Sequence, residues 1–260
     1  MGNSNKKKKS ILLIILFIFF LAVFVFAGIK LIIHFIPKKE NYDSFKSTSS
    51  APVQSEVSVV LPKNPINFPA VQKKTENICA WLKISSSKII DYPVLQSSED
   101  MEEDFYLDHD LDGSYKRAGS LYIQKYNYND FEDPVTVIYG HNMLNGTMFG
   151  TLKKFRDRNY FNSHKTFNVY TPGHILKYNI FSAFVYDDRH IINSFNSFYE
   201  KEDFQKFIDE CLDPTSLVKN VREGVNVTTD DKLVVLSTCT SKDSERYLVV
   251  GVLIKDTLTQ

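Results

Sequence analysis

From about residue 67 onward the chain is cut into short apolar runs by turn-forming residues. Eight of them read as β-strands: NICAWLKI, KIIDYPVLQ, GSLYIQ, PVTVIYG, KTFNVY, HILKYNIFSAFVY, KLVVLSTC and RYLVVGVLI. Runs of this length, rich in Val, Ile, Tyr and Phe and bounded by Gly, Pro, Asn or Asp, point to a mainly β barrel or sandwich. At 43% hydrophobic and 24% charged, the chain has ample material for a core.

One segment departs from the β pattern. Residues 198–212, FYEKEDFQKFIDECL, place Phe204, Phe207, Ile208, Cys211 and Leu212 on one helical face. Ser197 with Glu200 three residues later forms a capping-box signature, and Asp213-Pro214 supplies the stop. This amphipathic helix falls between the sixth and seventh strands. A short helix is also expected over 68–77. Cys211, on the apolar stripe, and Cys79, beside Ala80 and Trp81, read as core residues.

The N-terminal part has a different character. Residues 11–29, ILLIILFIFFLAVFVFAGI, are unbroken apolar sequence preceded by Lys6, Lys7, Lys8 and Lys9. About twenty such residues span a bilayer as a helix. A cleavable signal peptide is the rival reading, since Val25-Phe26-Ala27 loosely resembles a cleavage site, but the apolar stretch is long for one. The tight lysine block favours the N-terminus inside, although Lys30, Lys38, Lys39 and Lys46 blunt that bias. The expected organisation is a basic cytoplasmic leader at 1–10, a membrane anchor at 11–29, a Ser-, Lys- and Pro-rich stalk at 30–66, and one external domain at 67–260. The formal net charge is zero, so no nucleic-acid partner is implied.

Three cysteines, Cys79, Cys211 and Cys239, form an odd set without metal-ligand spacing. Cys239 ends a strand-like run, and Arg246 starts the next after a short polar loop. Across an antiparallel pair such residues would face each other, where a guanidinium favours a thiolate and can bind an oxyanion. On those two residues alone, a free strand cysteine and a surface arginine read equally well. A base is supplied by VTVIYGHNMLNGTMFGTL, where a strand ends at Tyr139, Gly140 permits a turn and His141 follows. A histidine there can face a cleft with a pKa suited to proton transfer. Taken singly, it is more often a hydrogen-bonded loop residue. His34 adjoins the apolar run, and His164, His174 and His190 show no partner in the sequence. His109 lies in DHDLDG, which mimics the start of a calcium loop, but Gly119 occupies the twelfth position where a Glu belongs. An Asp-rich turn is the better reading, and no metal or other cofactor is called for.

Taken together, LSTC, an arginine opening the next strand and YGHN upstream resemble the sortase signature. WLKISSSKIIDYPVLQ, FYLDHDLDGSYKRAGSLYI and VIYGHNMLNGTMFGTL are similar to the class B branch, over about residues 66–256. The resemblance implies an eight-stranded sortase β-barrel with N-terminal helices and the extra helix between strands 6 and 7. It implies a cysteine transpeptidase that cleaves a C-terminal sorting signal of secreted proteins after Thr and passes the acyl group to a peptidoglycan amine. Cys239 would be the nucleophile, His141 the general acid and base, and Arg246 the oxyanion donor; Ser237 resembles a substrate-contacting residue. The loop from Cys239 to Arg246 is short for the class, and Ser241 stands where an acidic residue often occurs, leaving open what orients His141. A hydrolytic cysteine peptidase and a silent surface module are the alternatives.

Overall fold

A computed structural model describes residues 61–84 and 90–260, together with 17, 20, 21 and 23–27. The last group is helical and belongs to an N-terminal unit of its own, Met1–Glu40. Among the described residues no helix is long and apolar enough to cross a membrane. Most of the expected anchor at 11–29, His34, and the stalk up to residue 60 lie outside the described residues.

In the second unit a short helix, α1 (Phe68–Gln72), precedes the strands, ending five residues before the expected 77. Asn67 caps it by accepting from the Ala70 N–H. Just before it, the Asn64 amide donates to the Thr171 carbonyl at 2.9 Å, and Ile66 is buried. The chain is therefore held against the barrel from this point on.

Among the described residues there are nine strands: β1 (Ile78–Ile84), β2 (Ile90–Gln96), β3 (Leu121–Ile123), β4 (Val135–Tyr139), β5 (Thr166–Thr171), β6 (His174–Asp187), β7 (Lys219–Val221), β8 (Leu233–Cys239) and β9 (Glu245–Leu258). The sheet order is β5-β1-β2-β3-β4-β8-β9-β6-β7, and β5 also pairs with β6. That extra pairing closes eight strands into a barrel, leaving β7 as a short addition beside β6. The eight barrel strands coincide with the eight apolar runs. The β2–β3 and β4–β8 pairs are parallel, and the other pairs are antiparallel.

Strand alternation sorts side chains into two apolar layers. In β8, Val234 and Leu236 join Leu82, Ile138, Phe167 and Val249 in one cluster, while Leu233 and Val235 join a second with Val137, Phe184, Leu248 and Val250. The second cluster is covered by α3 (Ile191–Ser194) and α4 (Lys201–Leu212). Here the helical period works as expected: Phe204, Phe207, Ile208 and Cys211 are all buried. Each phenylalanine contributes about 1.5–3 kcal/mol of burial free energy.

The start of α4 differs from the expectation. Glu200 is the N-cap and makes no side-chain cap bond, so Ser197 does not form a capping box. Asn196, Ser197 and Phe198 all have positive φ, at 48°, 54° and 56°, which removes Ser197 from capping geometry. Phe198 is thereby tucked against Phe195, ring centroids 5.5 Å apart. Burial of an aromatic side chain has overridden a local capping preference. α2 (Arg158–Ser163), capped by Asp157, was not foreseen. Residues 108–113 form a turn in which the Gly113 N–H donates to the Asp110 carbonyl.

Candidate active site

β4, β8, β9 and β6 lie side by side, and their C-terminal or N-terminal ends meet at one rim. Tyr139 is level with Ser237, Ser237 with Leu248, and Leu248 with Phe184. One step nearer the rim, Cys239 is level with Arg246 and Arg246 with Tyr186. Paired Cα atoms in such ladders lie about 4.5–5.5 Å apart. Cys239 and Ser237 continue the face that carries Leu233 and Val235. The site thus forms where the helix-covered outer face of the sheet runs out of cover.

His141 follows β4, two residues beyond its last paired residue, Tyr139. Since β4 and β8 are parallel with Tyr139 opposite Ser237, the residues two further along are His141 and Cys239. Three hydrogen bonds hold the strands together past their ends. The Gly140 N–H donates to the Ser237 carbonyl (3.2 Å), the Thr238 hydroxyl to the Gly140 carbonyl (2.7 Å), and the Asn142 amide to the Cys239 carbonyl (3.0 Å). Gly140 is required by space: a Cβ there would lie 2.4 Å from Leu121 Cδ2 and 2.9 Å from Phe149 Cδ2. Gly140→Ala is expected to destabilise the fold by about 1–3 kcal/mol through overpacking. A lowered urea midpoint would register this, and an unchanged one would show that Leu121 and Phe149 yield freely.

The Arg246 guanidinium is held from its own loop. Nη1 donates to the carbonyls of Asp243 (2.7 Å) and Glu245 (3.2 Å). Among the described residues its Nε and Nη2 have no partner, leaving them available to a ligand. The Thr240 N–H, next to the cysteine, donates to the Glu245 carbonyl at 3.2 Å. A backbone donor beside Cys239 is therefore already engaged, which leaves the guanidinium as the main donor for a developing oxyanion.

Cys239 is exposed, whereas Cys79 and Cys211 are buried. Burial pushes the Cys79 thiol up to about 12 and the Cys211 thiol well above its usual range, so neither ionises near neutrality. Burial also lowers the pKa of His141, against the opposing pull of the Asp108 carboxylate and the Leu107 carbonyl, with Arg117 adding to the lowering. Asp108 and the Leu107 carbonyl are thus the groups beside the imidazole; Ser241, in the hairpin, supplies no carboxylate. A histidine whose folded pKa is depressed binds its proton more readily in the unfolded chain. Its contribution to stability is present above the unfolded value near 6.5 and is lost as pH falls towards the folded value. His141→Asn should therefore show a smaller loss of urea midpoint between pH 7.5 and pH 5.5 than the parent. An identical loss would remove His141 as a source of the acid sensitivity.

A cavity of about 240 Å³ opens beside these residues, lined by Cys239, Arg246, Ser237, Tyr139, Tyr122, Gln124, Tyr186 and His190 among others. A larger cleft of about 840 Å³ lies elsewhere, between Glu76, Gln96, Asp130 and His174. Its only thiol is the buried Cys79. Among the described residues no group of His, Cys, Asp or Glu could hold a metal ion.

Several of these features were beyond the sequence reading. Asn142 adjoins His141 in the same motif, and its neighbour was the only hint. Tyr122, Gln124 and Tyr186 reach the cavity through barrel closure. His164 stacks on Tyr160 with centroids 3.7 Å apart, His174 pairs with Asp256 at 2.8 Å, and His190 caps α3, so all three have partners that are structural.

A barrel with a strand-end cysteine, a facing arginine and a histidine two residues past the end of the adjoining parallel strand is the arrangement of a thiol acyltransferase. Residues 82–254 match the sortase domain family, and the chain belongs to it. Class B sortases are among its relatives. Sortase B of Listeria monocytogenes is 32% identical over 248 residues, spanning 90% of this chain and 93% of that protein. The crystal structure of Clostridium perfringens sortase B superposes with a TM-score of 0.63 at 29% identity, covering 72% of this chain and 99% of that one. A Staphylococcus aureus sortase B–substrate complex gives 0.64 at 28% identity, covering 75% and 87%. The protein is a cysteine transpeptidase of the cell-wall-sorting kind.

Proposed function

We propose that Cys239, His141 and Arg246 carry out the transpeptidation, and that the observation bearing most weight is the pairing of Cys239 with Arg246 at the rim, with His141 two residues past the end of the adjoining β4. As the Cys239 thiol passes its proton to His141, the sulfur attacks the threonine carbonyl carbon of a sorting signal, and the carbonyl oxygen takes up the negative charge facing Arg246. As the C–N bond breaks, His141 gives a proton to the departing amine, leaving a thioester on Cys239. An amine of peptidoglycan then attacks the thioester carbon and loses its proton to His141. Collapse of the second tetrahedral species forms the new amide bond and releases the sulfur. Ser237, buried behind Cys239 on the same strand face, supports the acyl segment of the substrate.

Residues 11–29, behind Lys6–Lys9, anchor the chain in a single pass, with 1–10 cytoplasmic, 30–66 as a stalk and 67–260 outside. The run's length and the lysine block support this. On that arrangement the substrates are secreted proteins bearing the signal, and the acceptor is the cell wall or its lipid-linked precursor.

The test is a panel of quenched-fluorophore sorting peptides offered to the full-length chain with and without an oligoglycine or diaminopimelate-type amine. Cys239-dependent formation of an amine-ligated product is expected. Cleavage that no amine diverts would favour a hydrolase, and a chain freed from membranes by alkaline carbonate would overturn the anchor.

A further inference from the structure

Charge is unevenly spread along the chain. Over residues 41–260, 30 acidic side chains outnumber 24 basic ones, yet between 134 and 186 Asp157 is the one acidic residue. That stretch runs on from His141 through a short 3₁₀ helix, Leu152–Arg156, into α2. Lys153, Lys154, Arg156, Arg158 and Lys165 are exposed on it. Arg222, just past β7, joins them: its guanidinium lies 4.6 Å from the Phe161 ring centroid and donates to the Phe161 carbonyl at 2.9 Å. Among the described residues none of these six cations forms an ion pair, whereas Lys201, Lys206, Lys219 and Lys242 each hold a carboxylate. Two nearby carboxylates are engaged elsewhere. Asp157 accepts from the Tyr160 N–H at 2.7 Å, and Glu245, which feels the charge of Arg156, pairs with Lys242 at 2.8 Å. Even with Glu223 set against Arg222, the face stays strongly positive.

This face lies at the catalytic end of the barrel. Leu152 and Phe155 enter the first apolar cluster together with Tyr247, and the Arg156 guanidinium sits 5.1 Å from the centre of the Tyr247 ring. Tyr247 is level with Thr238, one residue along each strand from the Arg246–Cys239 pair. Leu144, 94% exposed, belongs to the turn closed by the Gly146 N–H on the Met143 carbonyl at 3.0 Å. A Cβ on Gly146 would lie 3.6 Å from Thr151 Cγ2, so this turn abuts the start of the 3₁₀ helix. A bare apolar side chain therefore stands beside the cations.

None of the six cations lines either cavity described above. They form an open surface, which suits an extended anionic plane better than a small enclosed anion. A mildly acidic domain is repelled by such a plane on its other faces, so this one approaches it. Exposed apolar groups flanked by Lys and Arg are the composition that settles in a headgroup region. We infer that this face docks the catalytic domain onto the anionic phospholipid surface of the membrane, with the cations on headgroup phosphates, Leu144 in the interface and the Cys239 rim turned towards the bilayer. The inference rests on the proposed anchor at 11–29, which holds the domain within reach of that surface. An amine carried on a lipid-linked acceptor would then meet the thioester at the bilayer surface.

The test reconstitutes the full-length chain in vesicles of phosphatidylcholine, with or without phosphatidylglycerol, with a dye on Cys239, the exposed thiol. Energy transfer to a lipid-borne dye reports how close the rim lies to the bilayer. Transfer is expected to be higher on the anionic vesicles and to fall to the neutral level in about 1 M salt, where the Debye length is about 3 Å. Each basic side chain at an anionic surface contributes roughly fivefold to the docking equilibrium. Lys153→Glu, Arg158→Glu and Lys165→Glu together should therefore weaken docking at least about a hundredfold and abolish the rise. Lys201→Glu with Lys206→Glu on α4 should leave the rise intact, and Leu144→Asn should reduce it. Equal transfer on both vesicles, a rise that survives the triple reversal, or one lost equally in the α4 reversal would overturn the docking face. So would binding of soluble polyglycerol phosphate, lost on the triple reversal, without any rise in transfer, since that assigns the face to a wall polymer. Flotation of the unlabelled chain with neutral vesicles tests the anchor separately. Should the anchor fail, docking still requires flotation with anionic vesicles alone, and flotation with neither overturns both.

Discussion

Replacing Cys239 with alanine is expected to lower transpeptidation by at least about 10⁴-fold, because loss of the nucleophile leaves only binding and electrostatic groups. The fold should scarcely notice. Cys239 is exposed at a strand end, and exposed substitutions away from caps and cores usually change stability by no more than about 0.5 kcal/mol. The other two thiols give the opposite pattern. Cys211 has no exposed surface, lies on the buried face of α4 and does not line the cavity, so Cys211→Ala should cost stability by leaving a void while activity persists. A thiol reagent applied to the native chain should label Cys239 and leave Cys79 and Cys211 untouched. Full activity in Cys239→Ala would end the proposed mechanism, and equal labelling of all three thiols would mean the buried pair is reached by opening of the barrel.

The second large effect belongs to Arg246. Arg246→Ala should reduce kcat by about 10²–10³-fold, the loss typical of a removed oxyanion donor. KM should change far less, since the interaction strengthens only as charge develops on the carbonyl oxygen. Arg246→Lys separates charge from shape. The guanidinium is fixed by the Asp243 and Glu245 carbonyls through Nη1, with Nε and Nη2 left for the substrate. An ammonium offers a point charge without that division of donors, so lysine should recover less than about tenfold of the lost rate. If KM rose in proportion while kcat held, Arg246 would instead be binding the ground-state peptide. Full recovery by lysine would reduce its role to charge alone.

Much of the site could be read from the chain because its chemistry is local in sequence. Cys239 and Arg246 share a hairpin, and a hairpin can be inferred from two apolar runs and the polar loop between them. His141 could be placed at a strand end because Tyr139 and Gly140 mark that end. What was not legible depends on parts that meet only in three dimensions. The closure of the barrel through β5 and β6, the parallel pairing of β4 with β8 that sets Tyr139 level with Ser237, and the arrival of Gln124 and His190 at one cavity have no local signature. Ser197 teaches the converse lesson. Its capping pattern was present and locally sound, yet the burial of Phe198 pulled the backbone into positive φ and moved the helix start to Lys201. Ordinary capping is worth about 1 kcal/mol, less than burying an aromatic ring.

The position of β8 has a consequence for when the enzyme becomes active. It is among the last strands to leave the ribosome, yet it lies in the interior of the sheet, between β4 and β9. Until it inserts, β4 has an unpaired edge, and the barrel is an open ribbon waiting for contacts of long sequence separation, which form slowly. Cys239 therefore reaches the rim, facing Arg246, only as the barrel is completed. On the proposed site, a partly made or partly threaded chain has a cysteine but no assembled partners for it.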